Sequence, residues 1–342
     1  MSRSQFAEPH AHPALLAATA FLAASMLSPS SLLAQGPAPP QSQSLIDANA
    51  ALQAGEADKA LALLAQSAQS GPSAAQAQNL LCRVHLTLEQ WDAAATACEQ
   101  AVHLDQENSD YHLWLGRALG EKASRASFLS AYSLAKRTRA EFEEAVHLDP
   151  HNIEALSDLG DFYRQAPGAV GGGIDKAQGI VGEFDKIDPA GADELRGRIA
   201  EQRKDFSTAE TEYKKMTTAG PHPARGWSAL AGFYSRQKRY DDMESAIRNA
   251  MTAALHDKHE SVALYDGAGL LTETKRNPTL AATLLDDYLA APSKTEDAPA
   301  FVAHLRLARL KAQLGDTAAA ERERTAALAL AHEYKPAQDF KP

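Results

Sequence analysis

Glu143-Glu144-Ala145-Val146-His147-Leu148-Asp149-Pro150 is a near-copy of Glu99-Gln100-Ala101-Val102-His103-Leu104-Asp105, displaced by 44 residues. That displacement is a period of 34 with ten residues inserted. The step of 34 recurs without insertion between Ala60 and Ala94, Leu64 and Cys98, and Tyr213 and Ile247. A fixed period of this size marks an array of stacked supersecondary units, each burying its apolar face on its neighbours. Alanine is abundant and β-branched runs are missing, so the repeating unit is helical.

Two further stretches describe the unit. Trp227, Leu230, Ala231 and Tyr234 follow the pattern W-x-x-L-G-x-x-Y with Ala in place of Gly, and Leu156, Leu159, Gly160 and Tyr163 follow it again. Second helices are expected at Ala60/Leu64, Ala94/Cys98/Ala101, Phe142/Ala145 and Ala209/Tyr213. Pro72, Pro150, Pro189 and Pro221 read as unit ends, because proline lacks an N–H and clashes with the preceding turn. Leu314-Gly315-Asp316 followed by Ala320 and Ala327 reads as a turn and second helix. On these residues the chain resembles the tetratricopeptide repeat family over roughly residues 41 to 334. The resemblance implies an all-α, right-handed solenoid of stacked antiparallel helix pairs.

Eight units are phased from the motif positions, beginning near Gln41, Ala75, Ser109, Ile153, Ala190, Ala224, Lys258 and Phe301. Unit three carries the insertion, around Ser127-Phe128-Leu129-Ser130-Ala131-Tyr132, which is expected to lengthen its helices or add a turn. Unit four holds Ala166-Pro167-Gly168-Ala169-Val170-Gly171-Gly172-Gly173 between its helices, expected as a flexible loop. Unit seven is the least regular, with a loose connector from Ala291 to Pro299. Residues 335–342 read as a C-terminal tail.

The first 34 residues stand apart from the array. Arg3 precedes an apolar stretch from Ala14 to Leu27, followed by Ser28-Pro29-Ser30-Ser31 and Leu32-Leu33-Ala34. A basic start, a short apolar run and a small terminal residue describe a secretory signal peptide, with cleavage expected after Ala34. The run falls short of the roughly 20 apolar residues a spanning helix needs, so no stable membrane span is expected after cleavage. A retained N-terminal anchor is the alternative. Residues 35–44, rich in Pro, Gln and Ser, read as a flexible linker overlapping the start of the array. The expected location is periplasmic or secreted.

Composition and motifs argue against several chemistries. A formal charge of −10 is the opposite of the basic face that nucleic acid requires. Gly168 and Gly173 have the glycine spacing of a phosphate-binding loop, but Ile174-Asp175 replaces the Lys-Ser/Thr that neutralises phosphate. His256 and His259 form an H-x-x-H pair without the glutamate or third ligand of a zinc site. With no nucleophile elbow in the sequence either, no enzyme activity, cofactor or metal is expected.

Cys82 and Cys98 fall on the two helices of unit two, each eight residues from residue 90, inside the turn from Leu88 to Trp91. An antiparallel pair sets them level, and export would supply an oxidising compartment, so a disulfide is expected. Two buried thiols acting as small apolar fillers are the alternative.

The resemblance also implies a concave groove lined by first helices, with positions 2, 5, 9, 12 and 13 of each unit facing it. Carried onto this chain, position 9 is Arg83, Arg117, Asp161, Arg198 and Arg309, position 12 gives Arg164, and position 13 gives Arg236. An arginine-lined trough suits carboxylates, so a protein or peptide ligand of acidic character is the expected partner. The Lys and Asn pattern of the family's chaperone-binding clamp is not found at matching places. The function implied is an exported scaffold for protein–protein interaction. The alternative is a small-molecule-binding accessory protein of a periplasmic solute transporter, on a fainter similarity in the region from unit three to Asp175-Lys176-Ala177. A pocket through the array would favour that alternative.

Overall fold

Seventeen α-helices make up the regular structure among the described residues of the computed structural model, which are 43–67, 73–218, 222–257 and 259–342. No strand occurs among these residues. The expected signal peptide and its cleavage site lie outside them, as does most of the expected linker. Gln43 and Ser44, expected in that linker, already belong to the first helix.

The helices pair in chain order. The first four pairs are α1 (Gln43–Ala54) with α2 (Ala57–Ser67), α3 (Ala74–Thr87) with α4 (Trp91–Leu104), α5 (Ser109–Arg125) with α6 (Phe128–Leu148), and α7 (Ile153–Gln165) with α8 (Ile174–Phe184). The next four are α9 (Pro189–Gln202) with α10 (Phe206–Met216), α11 (Pro223–Arg236) with α12 (Tyr240–His256), α13 (Val262–Glu273) with α14 (Pro278–Ala290), and α15 (Ala300–Gln313) with α16 (Thr317–Leu330). A short α17 (Lys335–Asp339) follows. Each first helix packs on its own second helix, and the second helices from α2 to α14 pack on the first helix of the next unit, as a solenoid requires. The fold is an all-α solenoid.

The motif residues supply the interfaces. Leu230, Ala231 and Tyr234 of α11 are buried, as are Leu156 and Leu159 of α7. Gly160 lets units four and five approach: a Cβ there would lie 2.6 Å from Leu195 Cδ2. The turns inside six of the eight pairs share one geometry. Gly55, Glu89, Lys204, Lys238, Lys275 and Gly315 all have positive φ. Around Lys238, the Lys238 N–H donates to Ser235 and the Arg239 N–H to Tyr234, closing the last carbonyls of α11. Four of the six residues are Glu or Lys, so tertiary packing imposes a left-handed conformation that their side chains disfavour.

Three expectations about element ends change. Pro189 opens α9 rather than closing unit four, since at the first helical position its missing N–H has no intrahelical partner to lose. The expected tail becomes α17, with Ala337 fully buried and Phe340 packed on the same cluster. The Gly-rich segment of unit four folds as a 3-10 turn, Gly168–Val170, with Val170 buried. Gly171 and Gly173 take positive φ there, and the Gly173 N–H donates to the Tyr163 carbonyl at 2.7 Å. The insertion in unit three lengthens both helices, to 17 and 21 residues.

Nearest-neighbour packing does not describe the ends. Leu45, Leu52, Leu64 and Leu80 of the first two units share one core cluster with Phe301, Leu305, Ala327 and Tyr334 of the last. The Phe301 and Tyr334 rings meet edge to face at 4.9 Å, and the Tyr334 hydroxyl donates to Glu89 at 3.1 Å. The His332 N–H donates to Asp58 at 3.0 Å. A Cβ at Gly55 would stand 2.3 Å from the Ala300 nitrogen, so the ends touch backbone to backbone. Within residues 43–342 the array returns on itself.

Candidate functional site

Two clefts open on the array, and the return of its far end bounds the larger of them. The larger, about 970 Å³, is lined by Arg83 and Trp114 on one side and by Tyr265, Glu296, Pro299 and Val302 from the far end of the array. Trp91, Phe142 and Phe162 give it an apolar floor, and Arg117, Asp158 and Asp161 a charged rim. The second, about 820 Å³, is lined by Arg198, Arg225, Arg236, Tyr213, Asp266 and Arg306 among others. Tyr265 borders both.

The residues expected to face the groove divide between these clefts. Arg83, Arg117 and Asp161 line the larger, and Arg198 and Arg236 the smaller. Arg164 and Arg309 line neither. Arg164 lies beside Asp161, its Nε donating at 3.1 Å. Arg309 is exposed and makes no ion pair or hydrogen bond among the described residues.

The other groove arginines already hold carboxylates. Arg117 donates from Nε to Asp158 at 2.6 Å and pairs with Glu154 at 2.9 Å. Arg198 bridges Asp161 and Glu194. Arg236 chelates Glu201 through Nε and a terminal nitrogen at 3.0 and 2.7 Å. Arg83 donates to Glu296, at 2.9 Å from Nε, across the meeting ends of the array. The trough is a lattice of alternating charge. Apart from Arg309, the arginines expected to face the groove are therefore not bare cations.

Two groups without sequence forewarning stand in the clefts. Trp114 has two guanidiniums over its ring, Arg83 at 5.0 Å and Arg117 at 4.4 Å from the ring centre. Arg306 lies 4.0 Å over the Tyr265 ring and has no carboxylate in ion-pair contact among the described residues. Near it Asp266 reaches solvent in the concave wall, yet enclosure by the surrounding protein pushes its carboxyl up to about 6 against the pull of Arg306. Trp114 sits two positions off the motif's tryptophan, so the repeat pattern alone does not mark it.

Cys82 and Cys98 are joined by a disulfide with Cα atoms 5.2 Å apart, both fully buried between α3 and α4. Ligand atoms of His222, Asp257 and Glu260 gather within 4.8 Å of one another. Glu260, however, accepts the N–H groups of Ala224 and Arg225 at 3.1 and 3.3 Å, which makes it the cap of α11. His256 turns away, its Nδ1–H donating to the Thr252 carbonyl at 2.6 Å. No helix among the described residues is long and apolar enough to cross a membrane.

Residues 51–118 match the family model described as tetratricopeptide repeat. Superkiller complex protein 3 of Mus musculus is 25% identical over 209 residues, 58% of this chain but 13% of that protein, so the chain spans about an eighth of this relative. Among solved structures, a tetratricopeptide repeat protein from Parabacteroides merdae aligns with 79% of this chain and all of its own, at 13% identity and a TM-score of 0.38. A thermophilic protein of the same repeat class from Thermus thermophilus aligns with 58% of this chain and 99% of its own, at 20% identity and a TM-score of 0.43. Residues 51–118 thus carry tetratricopeptide repeats, and the signature residues buried in units four and six and the paired helices continue the same pattern through the described array.

Proposed function

We propose that this chain is an exported scaffold that captures a partner protein by an acidic segment laid along its concave face. Fold and family support protein–protein interaction, and the groove's chemistry supports the sign of the ligand. The observation that carries the reading is the Arg83–Trp114–Arg117 stack, which presents two guanidiniums on one aromatic plane inside a cleft open to a chain segment. Arginine offers paired donors to a carboxylate, and such bonds are worth roughly 1.5–3 kcal/mol each when shielded. Export is supported by Arg3, the apolar stretch from Ala14 to Leu27 and the small residues to Ala34.

The test replaces Arg83, Arg117 and Arg198 together by Gln, which removes the charge and keeps a polar, hydrogen-bonding side chain. Capture of partners from the native envelope, read by mass spectrometry, should be abolished while helical content by circular dichroism stays at the wild-type level. Recovery of the same partners by the folded triple variant would refute the groove.

One observation supports a second reading, a small-molecule-binding accessory protein of a solute transporter. A cleft of about 970 Å³ bounded by both ends of the array is within the size of ligand pockets. Native mass spectrometry of the purified protein separates the two readings: a co-purifying small molecule favours the second, and its absence with retained partner capture favours the first.

A further inference from the structure

Residues 291–299, between α14 and α15, do not run round the outside of the array. They cross to the groove of units two and three. One end is held where Ser261 donates to the Ser293 carbonyl at 2.6 Å, and the other where the Tyr288 hydroxyl donates to the Ala298 carbonyl. Between these anchors Glu296 is clasped by Arg83 Nε and by Gln53 Nε2, both at 2.9 Å. Its side chain and that of Arg83 retain only 11% and 17% of their exposure. Asp297 follows, exposed on the cleft wall without a hydrogen bond or ion pair among the described residues.

The segment therefore presents two adjacent acids on a turn, closed where the Ala298 N–H donates to the Thr295 carbonyl at 3.2 Å, beside the arginines that flank Trp114. We infer that this strap is an internal occupant of the partner's site, and that the partner docks through a segment with adjacent acidic residues that displaces Glu296 and Asp297 from the Arg83–Trp114–Arg117 stack. This rests on the acidic-peptide reading above and adds the site, the motif and the competitor.

Several features separate a displaceable strap from a permanent clasp. Asp297 feels the attraction of Arg117 but also the repulsion of Glu296, Glu154 and Asp158, and enclosure and these neighbours raise its carboxyl above the ordinary aspartate value. Thr295 Oγ1 is buried without a hydrogen-bond partner. An unmet polar atom on one side of a good contact, and an acid among like charges on the other, are local frustration, and frustration lowers what displacement costs. Arg117 meanwhile has its own carboxylates, so the strap satisfies one guanidinium of the stack and leaves the other with its neighbours.

A tethered occupant competes at an effective concentration on the order of millimolar, which masks the site from a dilute peptide. The probe is a fluorescein-labelled peptide with the sequence of residues 291–299, titrated against the full exported chain by anisotropy. E296Q/D297N should bind it about tenfold or more tighter than wild type, because the competent fraction rises when the internal competitor is removed. A probe carrying Gln and Asn in place of the two acids should not bind, and adding R83Q to the variant should abolish the gain. Equal affinity for wild type and variant, binding of the neutral probe, or no binding to either protein would overturn the inference and leave the strap a structural clasp. If E296Q/D297N loses helical content, D297N alone keeps the Arg83–Glu296 bond and carries the test. It should bind the acidic probe about threefold tighter than wild type, and no gain would overturn the proposal. These outcomes are independent of partner capture by the triple arginine variant, so the groove can stand where the strap falls.

Discussion

His112 is a buried histidine whose surroundings dictate its charge. Its Nδ1 lies 2.7 Å from Glu141 Oε2 and its Nε2 3.0 Å from the Gln106 carbonyl. Both partners accept hydrogen bonds, and only the imidazolium donates from both nitrogens. The bond to Glu141 raises the pKa above 6.5 against the opposing effect of burial. A folded-state pKa above the unfolded value stabilises the fold fully below the unfolded pKa, and the contribution is lost as pH rises through the folded one. The stability margin of wild type over H112Q should therefore be full below pH 6.5 and shrink as pH rises above it. Urea midpoints of the two proteins below and above that pH check it, and a margin that grows with pH would contradict this account.

At the scale of the element, the α3–α4 pair is the one stapled covalently. The disulfide closes a loop over a sequence separation of 16. In the chain-entropy account such a loop stabilises the folded state by about 3 kcal/mol. Reduction should lower the unfolding midpoint by a corresponding amount and speed hydrogen exchange first in α3 and α4. Mass spectrometry of exported, non-reduced protein should find an N-terminus at Gln35 and no alkylated cysteine. An intact Met1 would sink the export reading, and two alkylated thiols in folded protein would sink the staple. The longest helix, α6, projects Phe128 and Leu129 at 85% and 81% exposure, a consequence of the insertion in unit three.

At the scale of the whole molecule, the closed array changes what a local lesion does. In an open solenoid damage spreads only through adjoining interfaces. Here unit one has unit eight as a second neighbour, and Gly55 sits at the join with φ +74°. Gly55→Ala introduces a Cβ into the Ala300 backbone at a positive φ, which costs roughly 1–3 kcal/mol. Hydrogen exchange should then quicken together in α1–α2 and in α15–α17, elements more than 200 residues apart in sequence. Loosening confined to α1 and α2 would mean that the join carries no coupling.

The boundary between what sequence reveals and what it conceals follows the range of the interactions. The period of 34, the buried Leu156, Leu230 and Tyr234, and the level placement of Cys82 and Cys98 are local regularities. Helix periodicity and hairpin symmetry project them directly onto space. The left-handed turns at Glu89, Lys204 and Lys238 were not legible, because those side chains do not favour the conformation and only packing of the flanking helices holds it. Proline at Pro189 was ambiguous, since the same residue ends one helix or opens the next. The arginines of the groove were legible as positions on first helices, and Glu194 and Glu201 stand at positions 5 and 12 of unit five in the same register, but Asp158 falls outside those positions and which acid meets which arginine was not legible. Closure was invisible. It depends on small rotations between successive units adding up until Phe301 reaches Leu45 and Glu296 reaches Arg83, and no local pattern encodes such a sum. Sequence alone determined the repeat, its helices and the staple within one pair, because each arises among residues near in the chain. Tertiary structure decided where the array ends meet and which acid lies on which arginine, because those contacts join residues that the chain itself keeps far apart.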